Sequence, residues 1–568
     1  MSSIPPNRKH VLTVLVEDYF QVGAFEKLIQ ERNWTNFVPR YESNTLKALD
    51  LLDEYDTRAT FFVLGWIADQ NPALIKTIAE RGHEVASRGY YHRSLKNLSP
   101  EEFREDLLRT NRAIESATGQ KVLGYRAAAK LNFREDAWIL DILAAEGMYY
   151  DASFMPNRRD PSNRRYAREI TTGNGSIREF PYSTLNTGVG LLPISGGNYL
   201  RQIPHSFVRH AISNWDKKVE QPFVFYFHVW ELDPEQPRIS AATYYNRIRH
   251  YRKLEKMEWV IRENLKLYSF TSISDVMGLT AGESMAASAL PMTAAADTAN
   301  KAQDAQGTLL TPVSIVMPCY NEEDSLPYLA NTLKKVDENL REHGYVPNFI
   351  FVDDCSKDRT PELLNELFGE DENFTIISHE TNKGVAGAIM TGIEAARTEI
   401  VCSMDCDCTY DPLELSNMIP FLERGADMVT ASPYHRDGGV RNVPGWRLFL
   451  SKGASFLYRR TLKTKLDTYT SCFRVYRRSA IVDLKIRETG FLGVAELLGL
   501  LDMRGGRIVE YPAILEVRLF GSSKMKTLKT IGGHLTLLSR LNKLRFFGKQ
   551  DEIEVSLPEK MAKIPTNK

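Results

Sequence analysis

No cysteine precedes Cys319, and all six lie in the second half of the chain: Cys319, Cys355, Cys402, Cys406, Cys408 and Cys472. A disulfide framework is therefore excluded for the first half. The cluster Cys402-x3-Cys406-x-Cys408 lacks both CxxC spacing and a partner His/Cys pair, so it reads as ordinary reduced thiols rather than a zinc site. Net charge is also missing, since Lys plus Arg and Asp plus Glu both count 72. That removes any whole-chain electrostatic case for nucleic acid, and no nucleic-acid partner is expected. Long apolar runs are absent too. The longest, around Ala59 to Ala68, is far below the ~20 residues of a bilayer span. The first run, Val11 to Val16, stops directly at Glu17 and Asp18, unlike a secretory leader. These absences predict a cytoplasmic chain, peripheral at most to the inner face of the plasma membrane.

What is present is an ordinary globular balance, 43% hydrophobic and 25% charged, over 568 residues. That length exceeds one hydrophobic core and predicts at least two domains. Residues 277–311, MGLTAGESMAASALPMTAAADTANKAQDAQGTLLT, are Ala-rich, poor in aromatics and without sustained periodicity, which marks a linker. The expected division is a first domain over 1–276, the linker, a second domain over 312–548 and a tail over 549–568. Both domains read as α/β. In the first, Val11–Val16, Thr45–Tyr55, Ala59–Leu64, Pro72–Arg81 and His83–Ser87 alternate strand and helix patterns, predicting a parallel β/α architecture, open or closed as a barrel. In the second, VSIVMP, NFIFVDD, FTIISHE and EIVCSMDCD are strands separated by helical stretches, as in a doubly wound Rossmann-like sheet that binds ligands at its strand ends.

Polar residues at strand ends are the natural places for chemistry in such folds. In the first half these are Glu17 and Asp18, Arg88 and His92 in HEVASRGYYHRSL, Arg126, and His228 with Glu231 in YFHVWELDPEQPRI. Taken singly, each has a plain structural reading: Glu17 and Asp18 as helix caps, His228 as a core residue. Taken together, TVLVEDYFQV, ATFFVLGW, GHEVASRGYYH, GYRA and YFHVWELDPEQPRI resemble the polysaccharide deacetylase family, in a branch associated with exopolysaccharide biosynthesis and exosortase systems.

The resemblance implies a deacetylase-like (β/α) barrel and a set of site positions. Glu17 (or Asp18) stands for the acidic metal ligand, His92 for the second metal histidine, Arg126 for the arginine that orients the base and His228 for the general acid. Three positions depart from the family. Leu15 replaces the base aspartate, Arg88 replaces the first metal histidine and Ala128 replaces a proline. Leucine accepts no proton, and a fixed guanidinium where a cation belongs opposes metal binding. A pseudoenzyme domain with a degenerate site and no metal is the expectation, with Arg88 pairing Glu17 or Asp18. Metal-independent hydrolysis and a glycan-binding or scaffolding module are the alternatives.

In the second half, Asp353-Asp354 ends one strand and Asp405-x-Asp407 ends another, close to helix starts. Two carboxylates on one loop can hold Mg²⁺ or Mn²⁺ while a diphosphate supplies further oxygens. These segments resemble a family-2 glycosyltransferase of GT-A fold, with dolichol- and polyprenyl-phosphate sugar synthases as its nearest kin. The resemblance implies donor nucleotide contacts at Pro318, Tyr320, Glu322, Asp353 and Asp354, and cation and diphosphate at Asp405 and Asp407. Arg518 and Lys524, in VRLFGSSKMKT, match the basic segment that closes over the donor phosphates. LDTYTSCFRVYRRSA matches a segment in which Cys472 replaces a glycine. Arg436, Arg441 and Arg447 are candidates for an acceptor phosphate, and Asp467 is the candidate base should the acceptor be a hydroxyl. Finally, IGGHLTLLSRLNKLRFFGK sets Leu537, Leu538, Leu541 and Leu544 against Arg540, Lys543 and Arg545. Such a helix either lies on an anionic membrane or packs on the sheet.

The expected activity is transfer of a sugar, with inversion, from a nucleotide-sugar donor to a polyprenyl-phosphate or related glycan acceptor. A bifunctional deacetylase/transferase, or a glycan-extending transferase whose first domain holds the glycan, are the rivals.

Overall fold

The computed structural model describes residues 8–156, 165–187, 190–279, 310–521 and 527–547, with only the backbone described at 527–531 and 547. The expected tail, most of the linker and Lys524 lie outside the described residues. The chain divides into two compact units.

The first unit is built on β1 (Lys9–Val16), β2 (Thr60–Val63), β3 (Glu84–Ser87), β4 (Gly124–Tyr125), β5 (Tyr150–Asp151), β6 (Arg168–Thr172), β7 (Gly175–Glu179), β8 (Thr184–Asn186), β9 (Leu191–Pro193), β10 (Val224–His228) and β11 (Ser269–Thr271). Its main sheet runs β10-β1-β2-β3-β4-β5-β7-β6, with β11 also on β1, and is parallel except at the β6–β7 hairpin. No ladder joins β10 to β6 among the described residues. Helices return between the strands, and their ends carry the expected signals. Ser99 and Glu102 form a capping box at the start of α1 (Pro100–Thr118), and Gly119 closes it at φ 69°.

The second unit is built on β12 (Thr311–Cys319), β13 (Tyr345–Asp353), β14 (Phe374–Ser378), β15 (Ile400–Ser403), β16 (Met428–Ser432), β17 (Gly439–Arg441), β18 (Arg474–Arg477), β19 (Ile508–Pro512) and β20 (Ile514–Glu516). The sheet order is β14-β13-β12-β15-β18-β16-β19, with β18 antiparallel to both neighbours. Apolar clusters cover both of its faces, as continuous apolar strands require. The order puts the carboxyl ends of β13, β12 and β15 side by side, which sets Asp353, Glu322 and Asp405 along one edge.

Three further helices matter below: α2 (Gly384–Ala395), α3 (Gly445–Thr461) and α4 (Thr527–Phe547). The apolar face of α4 is buried. Leu537, Leu538 and Leu541 belong to the core of the second unit, and Arg540 reaches Glu496 at 2.5 Å. Of the two readings of this helix, packing against its own domain is the one found. The membrane reading of that face is corrected, because those leucines are already withdrawn from solvent.

Candidate functional site

Strand periodicity explains the cluster in the first unit. Side chains two apart share a face, so Thr13, Leu15 and the following Glu17 line up along β1. Leu15 is buried among Phe62, Tyr150, Tyr182 and Tyr226. Glu17, at the strand end, is fully enclosed. Arg88 Nε donates to its Oε2 at 2.7 Å, His228 Nδ1 lies 2.5 Å from Oε1 and His92 Nε2 lies 3.5 Å from Oε2. Burial pushes the Glu17 carboxyl upward, but Arg88 and then His228 outweigh it and hold it well below the ordinary range. His92, buried beside Arg88, is pulled down to about 4, with burial the main cause.

Asp18 points elsewhere. Its carboxylate accepts the backbone N–H groups of Tyr19, Arg40 and Tyr41, while burial raises it to about 6. Of the two acidic candidates, only Glu17 meets Arg88, His92 and His228. Arg126 donates Nη1 to Thr13 Oγ1 at 3.1 Å, but its buried Nε and Nη2 have no hydrogen-bond partner. They sit between the rings of Tyr182 and Tyr226, whose centroids are 4.6 and 4.5 Å from the guanidinium carbon. A carboxylate at position 15 would be the natural partner; leucine is not. These residues do not fit a divalent cation, because the one carboxylate is engaged by Arg88.

The second unit offers a different arrangement. Glu322, Asp405 and Asp407 converge on Arg518, which pairs Glu322 directly and lies 3.6 Å from Asp407 Oδ2. Burial, and then the charges of Asp407 and Glu322, push the Asp405 carboxyl up to about 7. The buried Cys472 thiol, in the glycine position, lies close enough to Asp405 for each to act on the other electrostatically. Each of these strand-end loops carries a left-handed residue other than glycine beside its acids: Asn321 at φ 53°, Cys355 at 64° and Cys408 at 51°. Such conformations cost about 1 kcal/mol or more apiece, and they cluster where a loop is held for function.

Asp354 is occupied internally. It accepts from His379 Nδ1 at 2.8 Å and from the backbone of Lys383 and Gly384 at 2.7 Å, fixing the turn into α2. Asp353 accepts Ser356 N–H at 3.2 Å. Pro318 and Tyr320 flank Cys319 at the end of β12. The Cys319 and Cys406 sulfurs lie 3.0 Å apart as free thiols, a pairing that linear spacing does not signal.

Asp467 does not join the cluster. Its carboxylate pairs Arg459 of α3 at 3.1 Å, and its N–H goes to Glu510. The base candidate for a hydroxyl acceptor is thus held by a neighbouring, partly exposed cation. The three acceptor-phosphate candidates also separate. Arg436 lies against Asp437 and Arg441 against Glu516, whereas Arg447 stacks on Trp446 at 5.4 Å. Among the described residues no group of three or more His, Cys, Asp or Glu side chains could hold a metal unaided. Asp405 and Asp407 supply two carboxylates on one loop, a donor set that suits Mg²⁺ or Mn²⁺ once substrate oxygens complete it.

Comparison with known proteins fits this division. The model "Glycosyl transferase family 2" matches residues 314–484, "Polysaccharide deacetylase" matches 34–138, and "Domain of unknown function (DUF3473)" matches 152–278. The polyprenol monophosphomannose synthase of Mycolicibacterium smegmatis is 31% identical over 220 residues, covering 37% of this chain and 80% of that protein. This chain belongs to glycosyl transferase family 2. It joins a domain of that family to a polysaccharide deacetylase domain. The dolichol-phosphate mannosyltransferase of Pyrococcus furiosus is 30% identical over 233 residues, 41% of this chain and 64% of that protein. An undecaprenyl-phosphate 4-deoxy-4-formamido-L-arabinose transferase of Pectobacterium carotovorum is 30% identical, with coverage of 40% and 67%. The chain thus spans about two thirds of the archaeal relative's length. Glu17 and His228 both lie outside the stretch matched as polysaccharide deacetylase.

Proposed function

We propose that the second domain, residues 312–548, transfers a sugar with inversion from a nucleotide-sugar to a polyprenyl phosphate, and that the first domain no longer runs metal-dependent deacetylation. The observation that carries the first half is the convergence of Glu322, Asp405 and Asp407 with Arg518 at neighbouring strand ends. Pro318, Tyr320, Glu322 and Asp353 line the donor side, with Asp354 holding the turn behind them. Asp405 and Asp407 would hold a divalent cation, which would supply charge neutralisation for the leaving diphosphate. Arg518 gives up Glu322 to reach the same phosphates, and Lys524 is the second cation for them.

In the transfer, an acceptor phosphate oxygen forms the new bond to the anomeric carbon. The bond from that carbon to the diphosphate oxygen breaks with its electron pair. A phosphate oxyanion carries no proton to remove, so the pairing of Asp467 with Arg459 is no obstacle. The similarity to polyprenol, dolichol-phosphate and undecaprenyl-phosphate sugar transferases supports a lipid phosphate as acceptor.

A lipid acceptor calls for a membrane-facing surface. No helix among the described residues is long and apolar enough to cross a bilayer. Instead α3 exposes Trp446, Phe449 and Phe456, the last two at 77% and 57%, beside Arg447, Lys452 and Arg460. Leu535 and Phe546 of α4 are exposed as well. Aromatics among cations suit the interface of an anionic membrane, and Arg447 is then the arginine best placed for an acceptor phosphate.

The deciding experiment incubates the protein with Mg²⁺ or Mn²⁺, a panel of UDP- and GDP-sugars and a short polyprenyl phosphate, with Asp405→Ala/Asp407→Ala as control. A lipid-phosphate sugar seen by mass spectrometry, and missing from the control, is the expected result. Nucleotide release only on addition of an oligosaccharide would sink the lipid acceptor and favour glycan extension.

A further inference from the structure

The first unit contains a cavity of about 380 Å³ directly over the Glu17 cluster. Leu15, Glu17, Arg88 and His92 form part of its wall, and Lys130, Tyr199, Trp230 and Arg249 another. Its charge is unbalanced. Glu17 is already spent on Arg88 and His228, and Arg201 is spent on Glu231 at 2.9 Å. Lys130 and Arg249 have no acidic partner within ion-pair distance among the described residues, nor does Arg126 behind Tyr182 and Tyr226. Glu26, on the rim, is the other carboxylate of the lining. Withdrawal of its ammonium end from water, more than the charges of Arg249 and Arg126, pulls Lys130 down to about 8.

The walls add a second kind of contact. Lys130 Nζ lies 4.7 Å from the centroid of the Tyr199 ring and 3.4 Å from its hydroxyl. Trp230 is stacked on His250 at 4.0 Å, so its ring is held rigid. Flat aromatic faces beside charged donors accept a sugar ring and its acidic substituent together.

We infer that this cavity binds a saccharide carrying a carboxylate or phosphate, held by Lys130 and Arg249 above the Arg88–Glu17 pair, in place of the metal-held acetamide of a deacetylase. The positions emptied for hydrolysis have left a cationic pocket behind. Leucine at 15 removes the anion that would pair with Arg126, and Arg88 supplies a positive charge that needs no cofactor. The unpaired Nε and Nη2 of Arg126 mark how little negative charge the protein itself provides there. No bond is made or broken in this role.

The test needs no nucleotide-sugar, so it can fail independently of the transfer reaction. Isothermal titration of the full-length protein with cellobiouronic acid, glucose 6-phosphate, neutral cellobiose and inorganic phosphate separates the cases. The acidic sugars are expected to bind at least tenfold more tightly than cellobiose, and Lys130→Ala and Arg249→Ala are each expected to weaken them about tenfold. Both side chains are exposed at the cavity wall, and unchanged thermal melting confirms that the variants fold. A preference between the uronate and the phosphate identifies which acid is carried. Equal binding of cellobiose, inorganic phosphate as tight as the sugar phosphate, indifference to both substitutions, or no binding of any probe would each overturn the inference.

Discussion

Glu17 and Asp405 stand in corresponding places, just past the carboxyl end of a parallel strand, and their neighbours act on them in opposite directions. Around Glu17 the protein supplies its own cations, Arg88 at 2.7 Å and His228 at 2.5 Å, and the carboxyl is held well below the ordinary range. Around Asp405 it supplies more acids, and the carboxyl is pushed up to about 7. Both are strand-end carboxylates in α/β sheets, yet one is neutralised from within while the other keeps its demand for positive charge. Fold places the carboxylate; the neighbours decide whether anything from outside is needed.

The comparison is tested most severely by its two arginines. Arg88→Ala leaves Glu17 buried with His92, His228 and the Trp230 indole N–H beside it but no fixed cation, and removing one partner of a buried ion pair costs about 3–5 kcal/mol. A fall of that size in denaturant-unfolding free energy is expected, with sugar transfer retained wherever the protein stays folded. Arg518→Ala should do the reverse. Stability should change little, since Glu322 and Asp407 are partly open to solvent and lose only a competing partner. Turnover should fall about 10²–10³-fold, as when one donor is taken from a developing charge. Equal losses of stability in the two variants would erase the distinction between a structural and a working cluster.

Much of this was legible in the chain itself. Apolar runs gave β1, β12, β13 and β15, because a strand buried on both faces must be continuously apolar, and the acids at their ends followed. Two choices were not legible. Nothing in the order Glu17-Asp18 says which side chain enters the site; that is settled by the N–H groups of Arg40 and Tyr41, brought back from far along the chain to bind Asp18. Likewise, Leu537, Leu538 and Leu541 form the same amphipathic stripe whether they meet lipid or protein, and only the neighbouring core decides. The pairing of Asp467 with Arg459 was hidden for a related reason, since it depends on how the loop after α3 folds back on that helix.

A smaller effect sharpens the electrostatic side of the contrast. Histidine 92 is held neutral, its value lowered from 6.5 to about 4. On acidification the unfolded chain takes up this proton below about pH 6.5, whereas the folded chain does so only near pH 4. Stability from this group is therefore lost as pH falls through that window, by about 2 kcal/mol between pH 7 and pH 5. Asp18, raised to about 6, works with the opposite sign, so the measurement is a difference between proteins. The unfolding free energy of His92→Gln should lose about that much less than the parent over the same pH interval. Parallel pH profiles would mean that His92 shares the charge of Glu17 rather than being kept neutral by its burial.

The smallest change in stability carries the last distinction, between the apolar residues of α3 and α4. Leu541 is fully buried, and its replacement by alanine should cost about 2–5 kcal/mol through the cavity left behind. Phe449 is 77% exposed, and Phe449→Ala should stay within about 0.5 kcal/mol of the parent. What Phe449→Ala should lose is binding to vesicles containing phosphatidylglycerol, in a sedimentation assay where neutral phosphatidylcholine vesicles are the control. The aromatic group supplies apolar insertion while Arg447, Lys452 and Arg460 supply attraction to the anionic surface, so Arg447→Ala/Arg460→Ala should reduce binding to the anionic vesicles alone. If the phenylalanine variant sediments like the parent, α3 is an ordinary solvated helix and the lipid acceptor must be met by another surface.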